Sequence, residues 1–413
     1  MNRRKFLQQV GIASTSAIAL IGTHGWAARG TSLNSLNSGS NPKRLVVIFL
    51  RGAVDGLNVV VPHGDTAYYE ARPKIAIPRP SENSGALDLD GHFGLHPALA
   101  SLMPLWQQGS LAFVDACGSP NPTRSHFEAQ DYMESGTPGV ESTPDGWMNR
   151  LLATLPNHTP VQAVNFGDTT PRILSGRMSV ASFPLGHNSA SPLPLDKPQV
   201  GTAFDRLYSG NDALSLAYQE GRKARKTLLT DLDAEMQAAN NGAPLPIGFA
   251  SDAQKLAQLM VKDPSIDLAF LALGGWDTHV NQGSSQGQLA GRLKALGDGL
   301  ATLAQGLGPV YRDTAIVVMS EFGRTVHENG DGGTDHGHGN AMWILGGSIK
   351  GGKIYGEWPG LANNQLYQGR DLAISTDFRD VIISLLECHL QLDDAKLHRV
   401  FPDYNPSQKV SLV

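Results

Sequence analysis

This sequence is short of cysteine, of charge and of long apolar runs, and each shortage removes a class of protein. Its two cysteines, Cys117 and Cys388, lie far apart in the chain. They are too few for a disulfide framework or a cysteine-built zinc module. They read either as a pair formed after export or as buried core thiols. Charged residues make up 17% of the chain, with a formal net charge of -5. That balance gives no electrostatic footprint for nucleic acid. No run reaches the roughly 18 uninterrupted apolar residues of a bilayer span, so no stable membrane span is expected. No internal repeat is visible either.

What is present is globular. The chain has 413 residues, 41% of them hydrophobic, enough for one large domain or two ordinary ones. The 46 glycines and 25 prolines indicate many loops. The first 27 residues contain Arg3, Arg4 and Lys5 but no acid, then a short apolar stretch from Val10 to Ile21, then Gly25, Ala27 and Ala28. A charged start, an apolar middle and a small-residue cleavage site make a signal peptide over residues 1–27. Arg3-Arg4-Lys5-Phe6-Leu7 resembles a bacterial twin-arginine signal. That likeness implies the twin-arginine export machinery as a partner, and a periplasmic or exported product that crosses already folded. Residues 28–43, rich in Ser, Asn and Gly, read as a flexible linker.

From residue 44 onward, apolar runs alternate with helical patterns. Strands are expected at Leu45–Leu50, Ser110–Ala116, Val161–Phe166, Ser265–Leu273, Ala315–Met319 and Met342–Leu345. Helices are expected at His96–Gln108, Ser125–Glu134, Trp147–Leu155, Asn211–Ala239, Gln288–Leu307 and Thr376–Leu390. In the second of these, Ser125 and Glu128 have the spacing of a capping box. Strands that are apolar throughout must be covered on both faces, which predicts an α/β fold with a mainly parallel sheet sandwiched by helices. The loop-rich stretch at about 168–250 reads as an insertion in a single domain over 44–413.

Three clusters carry the chemistry: Trp276-Asp277-Thr278-His279, Ser320-Glu321-Phe322-Gly323-Arg324 and Thr334-Asp335-His336-Gly337-His338-Gly339. The first two directly follow expected strands, where α/β sheets bind ligands. Carboxylate oxygen with imidazole nitrogen suits a divalent metal, zinc or manganese before calcium. Asp277 and His279, separated by one residue, point the same way in extended chain. Asp277 is read as a ligand or as a cap on the next segment. Glu321 is a ligand, a base, or an ion-pair partner of Arg324. At least one of His336 and His338 is a ligand candidate. Asp55, in Arg51-Gly52-Ala53-Val54-Asp55-Gly56, is either a further ligand or a turn residue. Ser125 is either a nucleophile or a plain N-cap. Arg124 and Arg324 have the fork that matches phosphate or sulfate oxygens. Trp276, Trp343 and Trp358 suit core packing better than stacking on sugars.

Taken together, Arg51 to Gly56, the stretch TRSHFEAQDYMESG (Thr123 to Gly136), Asp277-Thr278-His279, Ser320 to Arg324 and Asp335 to Gly339 resemble the family called domain of unknown function 1501. The likeness runs from about Arg44 to Phe401-Pro402. That family is placed near the alkaline phosphatase and sulfatase superfamily, which implies an alkaline phosphatase-like fold and one or two metal ions. By this similarity Asp55 is the ligand after the first strand, and Ser125 the helix-opening nucleophile. Asp277 and His279 match the next pair, Glu321 a later acidic ligand, and His338 the final one. The chain departs from the superfamily at Phe322, where a second histidine is expected, and at Pro120, which stands at the sulfatase nucleophile position. The resemblance implies an exported hydrolase of phosphate or sulfate esters, acting on a small anionic or glycan-linked substrate. The alternative is a non-catalytic exported binding protein that keeps the fold, with association with carbohydrate as a variant of that reading.

Overall fold

Apolar residues at consecutive positions have opposite fates in a strand, because successive side chains leave opposite faces. In strand β1 (Arg44–Leu50), Val46, Ile48 and Leu50 enter one core, while Leu45, Val47 and Phe49 enter another. The strand is therefore apolar throughout because both its faces are covered. The computed structural model describes residues 42–413 apart from 157, 160, 168, 184–209, 211–214 and 216–237. The expected signal peptide, nearly all of the linker, the Asn211–Ala239 helix and much of the insertion lie outside the described residues.

Short strands β2 (Val60–Val61), β3 (Leu87–Asp88) and β4 (Gly94–Leu95) form a small separate sheet. The main sheet adds β5 (Leu111–Gly118), β6 (Ala163–Phe166), β7 (Ala181–Phe183), β8 (Leu268–Leu273), β9 (Thr314–Ser320), β10 (Asn340–Gly346), β11 (Lys353–Tyr355) and β12 (Thr376–Asp377). Its order is β11-β5-β10-β9-β1-β8-β6-β7, with β12 also paired to β5. Neighbours are parallel except β10, which runs antiparallel to both β5 and β9. The fold is thus α/β with a mixed, mostly parallel sheet.

Helices cover both faces. On one lie α3 (Phe249–Lys262) and α4 (Gln288–Leu307), and on the other α2 (Trp147–Leu152), α5 (Phe378–Cys388) and α6 (Asp394–Val400). Helix α1 (His126–Ser135) follows β5 and stands at the sheet's edge of interest. The expected His96–Gln108 helix is split into a 3-10 turn over Pro97–Leu102 and a short α-helix over Met103–Gln107, with Pro104 at the junction. Cys117 and Cys388 are both free, and Cys117 lies against the Met342 sulfur. Among the described residues no helix is long and apolar enough to cross a membrane.

Two register facts position the site. Leu50 of β1 is level with Leu273 of β8 and with Ser320 of β9, so three parallel strands end side by side. Strand β10 is antiparallel, so the loop before it, rather than after it, arrives at that same edge.

Helix α4 places Leu289, Leu293, Leu296, Leu300, Leu303 and Leu307 on its buried face. Gly299 lies on that face, and a Cβ there would overlap the Phe249 ring of α3, whereas a Cβ at Gly291 would meet nothing. Replacing either by alanine gains roughly 1 kcal/mol of helix propensity, but overpacking at Gly299 costs about 1–3 kcal/mol. In chemical denaturation we expect Gly291→Ala to raise stability and Gly299→Ala to lower it. Equal shifts in the two variants would show that α3 and α4 do not pack this way.

Candidate metal centre

Five segments meet at the carboxyl edge of the sheet. The turn after β1 brings Arg51 and Gly52, the loop after β8 brings Asp277 and His279, and the residue after β9 is Glu321. The loop before β10 brings His336. The chain leaving β5 opens α1, whose first residue is His126. Gly52 has φ 111°, and a Cβ on it would sit 2.8 Å from the Asp277 nitrogen. Only glycine allows that approach of backbone to backbone.

At the centre the Nε2 atoms of His126 and His336 are 3.0 Å apart, and those of His279 and His336 also 3.0 Å. The Asp277 Oδ1 atom lies 2.9 Å from the His279 Nε2 and 3.3 Å from the His336 Nε2, while Oδ2 lies 3.5 Å from the His126 Nε2. His126, Asp277 and His336 bring one ligand atom each within 4.8 Å of the others. His279 closes it from the more open side, its side chain 19% exposed against 6% for His126.

The outer nitrogen of each ring decides what the inner one can do. The Nδ1 of His126 is 2.8 Å from a Glu321 oxygen, that of His279 3.2 Å from an Asp335 oxygen, and that of His336 3.0 Å from the Arg124 carbonyl. Carboxylates and carbonyls only accept, so each Nδ1 donates its hydrogen. Every neutral ring then turns a bare Nε2 lone pair inward, beside a carboxylate whose Oδ2 is buried and has no hydrogen-bond partner. Acceptors facing acceptors need a cation between them. Two nitrogens 3.0 Å apart suit ligands each about 2.1 Å from one ion. Outer acceptors that fix ring orientation are the usual support of metal-bound histidine. The residues present fit a divalent ion such as zinc.

The charges agree. Burial would push Asp277 up, but hydrogen bonds from His126, His279 and His336, with Arg324 beside it, hold it far below the usual carboxylate range. Burial would likewise raise Glu321, yet His126 and Gln130 hold it low. Burial pulls the His126 imidazole down, but Asp277 and Glu321 outweigh that and push it up to about 9.

Each residue singled out by sequence has a definite place. Asp277, His279 and His336 are brought together. Glu321 stands behind His126 and also accepts from the Gly52 nitrogen and Gln130. His338 is outside the cluster, stacked on Tyr367 with ring centroids 4.3 Å apart. Asp55 is fully buried and accepts from Arg72 and Gln282, each at 2.6 Å. Arg324 spends its guanidinium on Asp277 at 2.5 Å and on Thr334. Arg124 pairs with Asp371 at 2.7 Å. Ser125 is the N-cap residue of α1, but its side chain makes no cap bond, and Glu128 instead accepts from the Thr123 hydroxyl. The capping box is therefore not formed. Sequence reasoning missed His126. Its signal was an imidazole at a helix start just past a buried strand, masked by the more familiar serine beside it. Phe322 lies against the rings of His126 and His336, with centroids at 4.9 and 5.3 Å.

Fold and centre together define an α/β protein carrying a histidine–aspartate cluster at the carboxyl edge of its sheet. The chain belongs to the family described as "Protein of unknown function (DUF1501)", whose model matches residues 42–401. No curated protein matches the sequence. Among solved structures, it is similar to the C-terminal periplasmic domain of EcEptC from Escherichia coli, with 12% identity and a TM-score of 0.42 over 91% of this chain and 93% of that one. It is similar to Ps i-CgsB in complex with k-i-k-neocarrahexaose, with 12% identity and a TM-score of 0.42 over 86% and 74%. A protein in the alkaline phosphatase superfamily from Vibrio parahaemolyticus gives 12% identity and a TM-score of 0.36 over 77% and 64%.

The raised His126 gives a pH signature. Its folded value of about 9 lies above the ordinary imidazole value of 6.5. Its stabilisation is therefore full below about pH 6.5 and is lost as pH rises through about 9. An ion needs the deprotonated ring, so uptake near neutral pH releases a proton. We expect the melting temperature of chelated protein to fall across this window, while zinc-loaded protein does not follow. Asp335→Ala, at a half-exposed carboxylate, should weaken zinc binding by roughly tenfold in a competition titration. Unchanged affinity would remove Asp335 from the support of His279.

Proposed function

We propose that this protein is an exported, metal-dependent hydrolase of phosphate or sulfate esters. One observation carries the reading: three imidazoles, each fixed through its outer nitrogen, aim their inner nitrogens at one buried carboxylate. His126, Asp277 and His336 hold the ion, with His279 as the fourth donor. A divalent ion here would polarise an ester oxygen and lower the pKa of bound water. Glu321 and Asp335 fix the rings, and Arg324 keeps Asp277 ionised. Ser125 adjoins His126 in the chain and its side chain has no capping duty, which makes it the candidate nucleophile, with water as the other. Zinc or manganese is the metal the donor set suits, and one ion is the number it supports. Asp55 is committed to Arg72, Phe322 fills the neighbouring wall, and the described residues contain no second cluster of this kind.

Those same two residues favour a second reading, a non-catalytic binding protein that keeps one structural ion. Metal content and turnover separate the two. We expect purified protein to contain close to one equivalent of zinc or manganese and to hydrolyse an aryl phosphate, phosphodiester or sulfate. Asp277→Ala and His126→Ala should lose both metal and activity, while His338→Ala should keep its metal. Folded wild type with metal but no turnover of any ester would leave only the binding reading. Folded wild type that takes up no metal would end both.

Export belongs to the same proposal. With Arg3→Lys and Arg4→Lys together, the product is expected to remain in the cytoplasm in cell fractionation. Undiminished export would exclude the twin-arginine route.

A further inference from the structure

The arginines around the centre are nearly all committed. Arg51 ends on Glu134 at 2.5 Å, Arg72 on Asp55 at 2.6 Å, Arg124 on Asp371 at 2.7 Å and Arg324 on Asp277 at 2.5 Å. Arg292 is different. It projects from the first turns of α4, and its Nη1 is buried with no hydrogen-bond partner. A Cβ on Gly275 would lie 3.3 Å from its Nε and 3.6 Å from its Cζ. The guanidinium therefore rests on the backbone just two residues before Asp277. Gly275 has φ 90°, and a Cβ there would overlap the Leu245 side chain as well as crowd the arginine.

A buried donor without a partner is rare and calls for a physical reason. Asp277 is within electrostatic range, but Arg324 and the histidines surround it. Burial lowers the Arg292 guanidinium to about 10 and Asp277 raises it, so it stays charged at neutral pH. A guanidinium fork matches the spacing of oxygens on phosphate or sulfate, and such charge-assisted bonds are the strong ones.

We infer that Arg292 binds the anionic oxygens of the substrate, holding a tetrahedral oxyanion beside the metal centre. This rests on the reading of the centre as one that handles oxyanion esters. It moves the anion-holding role from Arg124 and Arg324, which the fold uses elsewhere, to a residue whose buried Nη1 has no hydrogen-bond partner.

The test uses full-length mature protein, zinc-loaded and chelated, titrated calorimetrically with inorganic phosphate and, separately, with sulfate. Wild type should bind at least one of them, and the tighter anion marks the ester class. Arg292→Met should weaken that binding about 10- to 100-fold, as expected for loss of a charge-assisted pair. Its zinc content should be unchanged and its melting temperature no lower, because the buried Nη1 has no hydrogen bond to lose and a desolvated charge is removed. Arg292→Lys should recover part of the affinity, and where esters are turned over the loss should appear chiefly in KM. Unchanged anion binding in Arg292→Met overturns the inference, as does a wild type that binds neither anion. A lower melting temperature with loss of zinc also overturns it, since Arg292 would then be structural. Arg292-dependent anion binding in a protein that hydrolyses no ester sinks the hydrolase reading and leaves the anion site standing.

Discussion

A carboxylate with about 1% of its side chain exposed cannot remain ionised without compensation, and much of this sheet edge is arranged around that demand. Arg324 supplies the nearest charge to Asp277. The same guanidinium reaches the Oγ1 and carbonyl of Thr334, so neutralising Asp277 also fixes the start of the loop that delivers His336. Gln282 extends the frame. Its oxygen accepts from Thr278 and Thr334, and its nitrogen donates to Asp55, which Arg72 holds while also reaching the carbonyls of Thr325 and Val326. Removing one partner of such a buried pair costs about 3–5 kcal/mol, because the other is stranded. The loops at this edge are thus coupled through charge, and the imidazoles inherit their positions from it.

Sheet topology explains why so many loops reach one edge. In a wholly parallel sheet, only connections leaving strands arrive at the carboxyl end. The antiparallel β10 lies between β5 and β9 and contributes the connection that enters it. His336 therefore faces His126, which leaves β5, and Asp277, which leaves β8. Gly337 and Gly339 make the approach possible, since Cβ atoms there would crowd the Arg324 backbone and the Leu372 and Ala373 carbonyls.

The fold was largely readable because burial on two faces leaves a direct mark on sequence. LVVIFL could be nothing other than a doubly covered strand, and the leucines of α4 gave its bounds as Gln288–Leu307. The direction of β10 was not readable, since apolar runs carry no sign of orientation. The site was legible in outline only. Asp277, His279 and His336 declared themselves by composition and position. Asp55 and Glu321 read as candidate ligands from sequence, yet each is committed to another group, because a buried carboxylate's role depends on which distant group reaches it. For Asp55 that group is Arg72, and for Glu321 the outer nitrogen of His126. His126 and His338 show the same limit from the other side. One histidine beside a serine faces the centre, and another in a glycine-rich loop stacks on a tyrosine.

Phe322 sets the electrostatic character of the centre. Its ring packs on Ala53 and Ala129 and against two of the imidazoles, so one wall is apolar and supplies no ligand. Low polarity strengthens each charge interaction that remains and penalises each one left unmatched. With Asp55 paired to Arg72 and Asp277 to Arg324, the proposed ion and Arg292 leave the centre with positive charge in excess. An oxyanion meeting both would settle the buried Nη1 of Arg292, which with the Nε of Arg51 is a guanidinium donor left unsatisfied among the described residues at this edge. A ligand in place of Phe322 would bring a further donor to this wall and lessen the need for an arginine. The apolar wall and the unpartnered arginine are, on this argument, two sides of one arrangement.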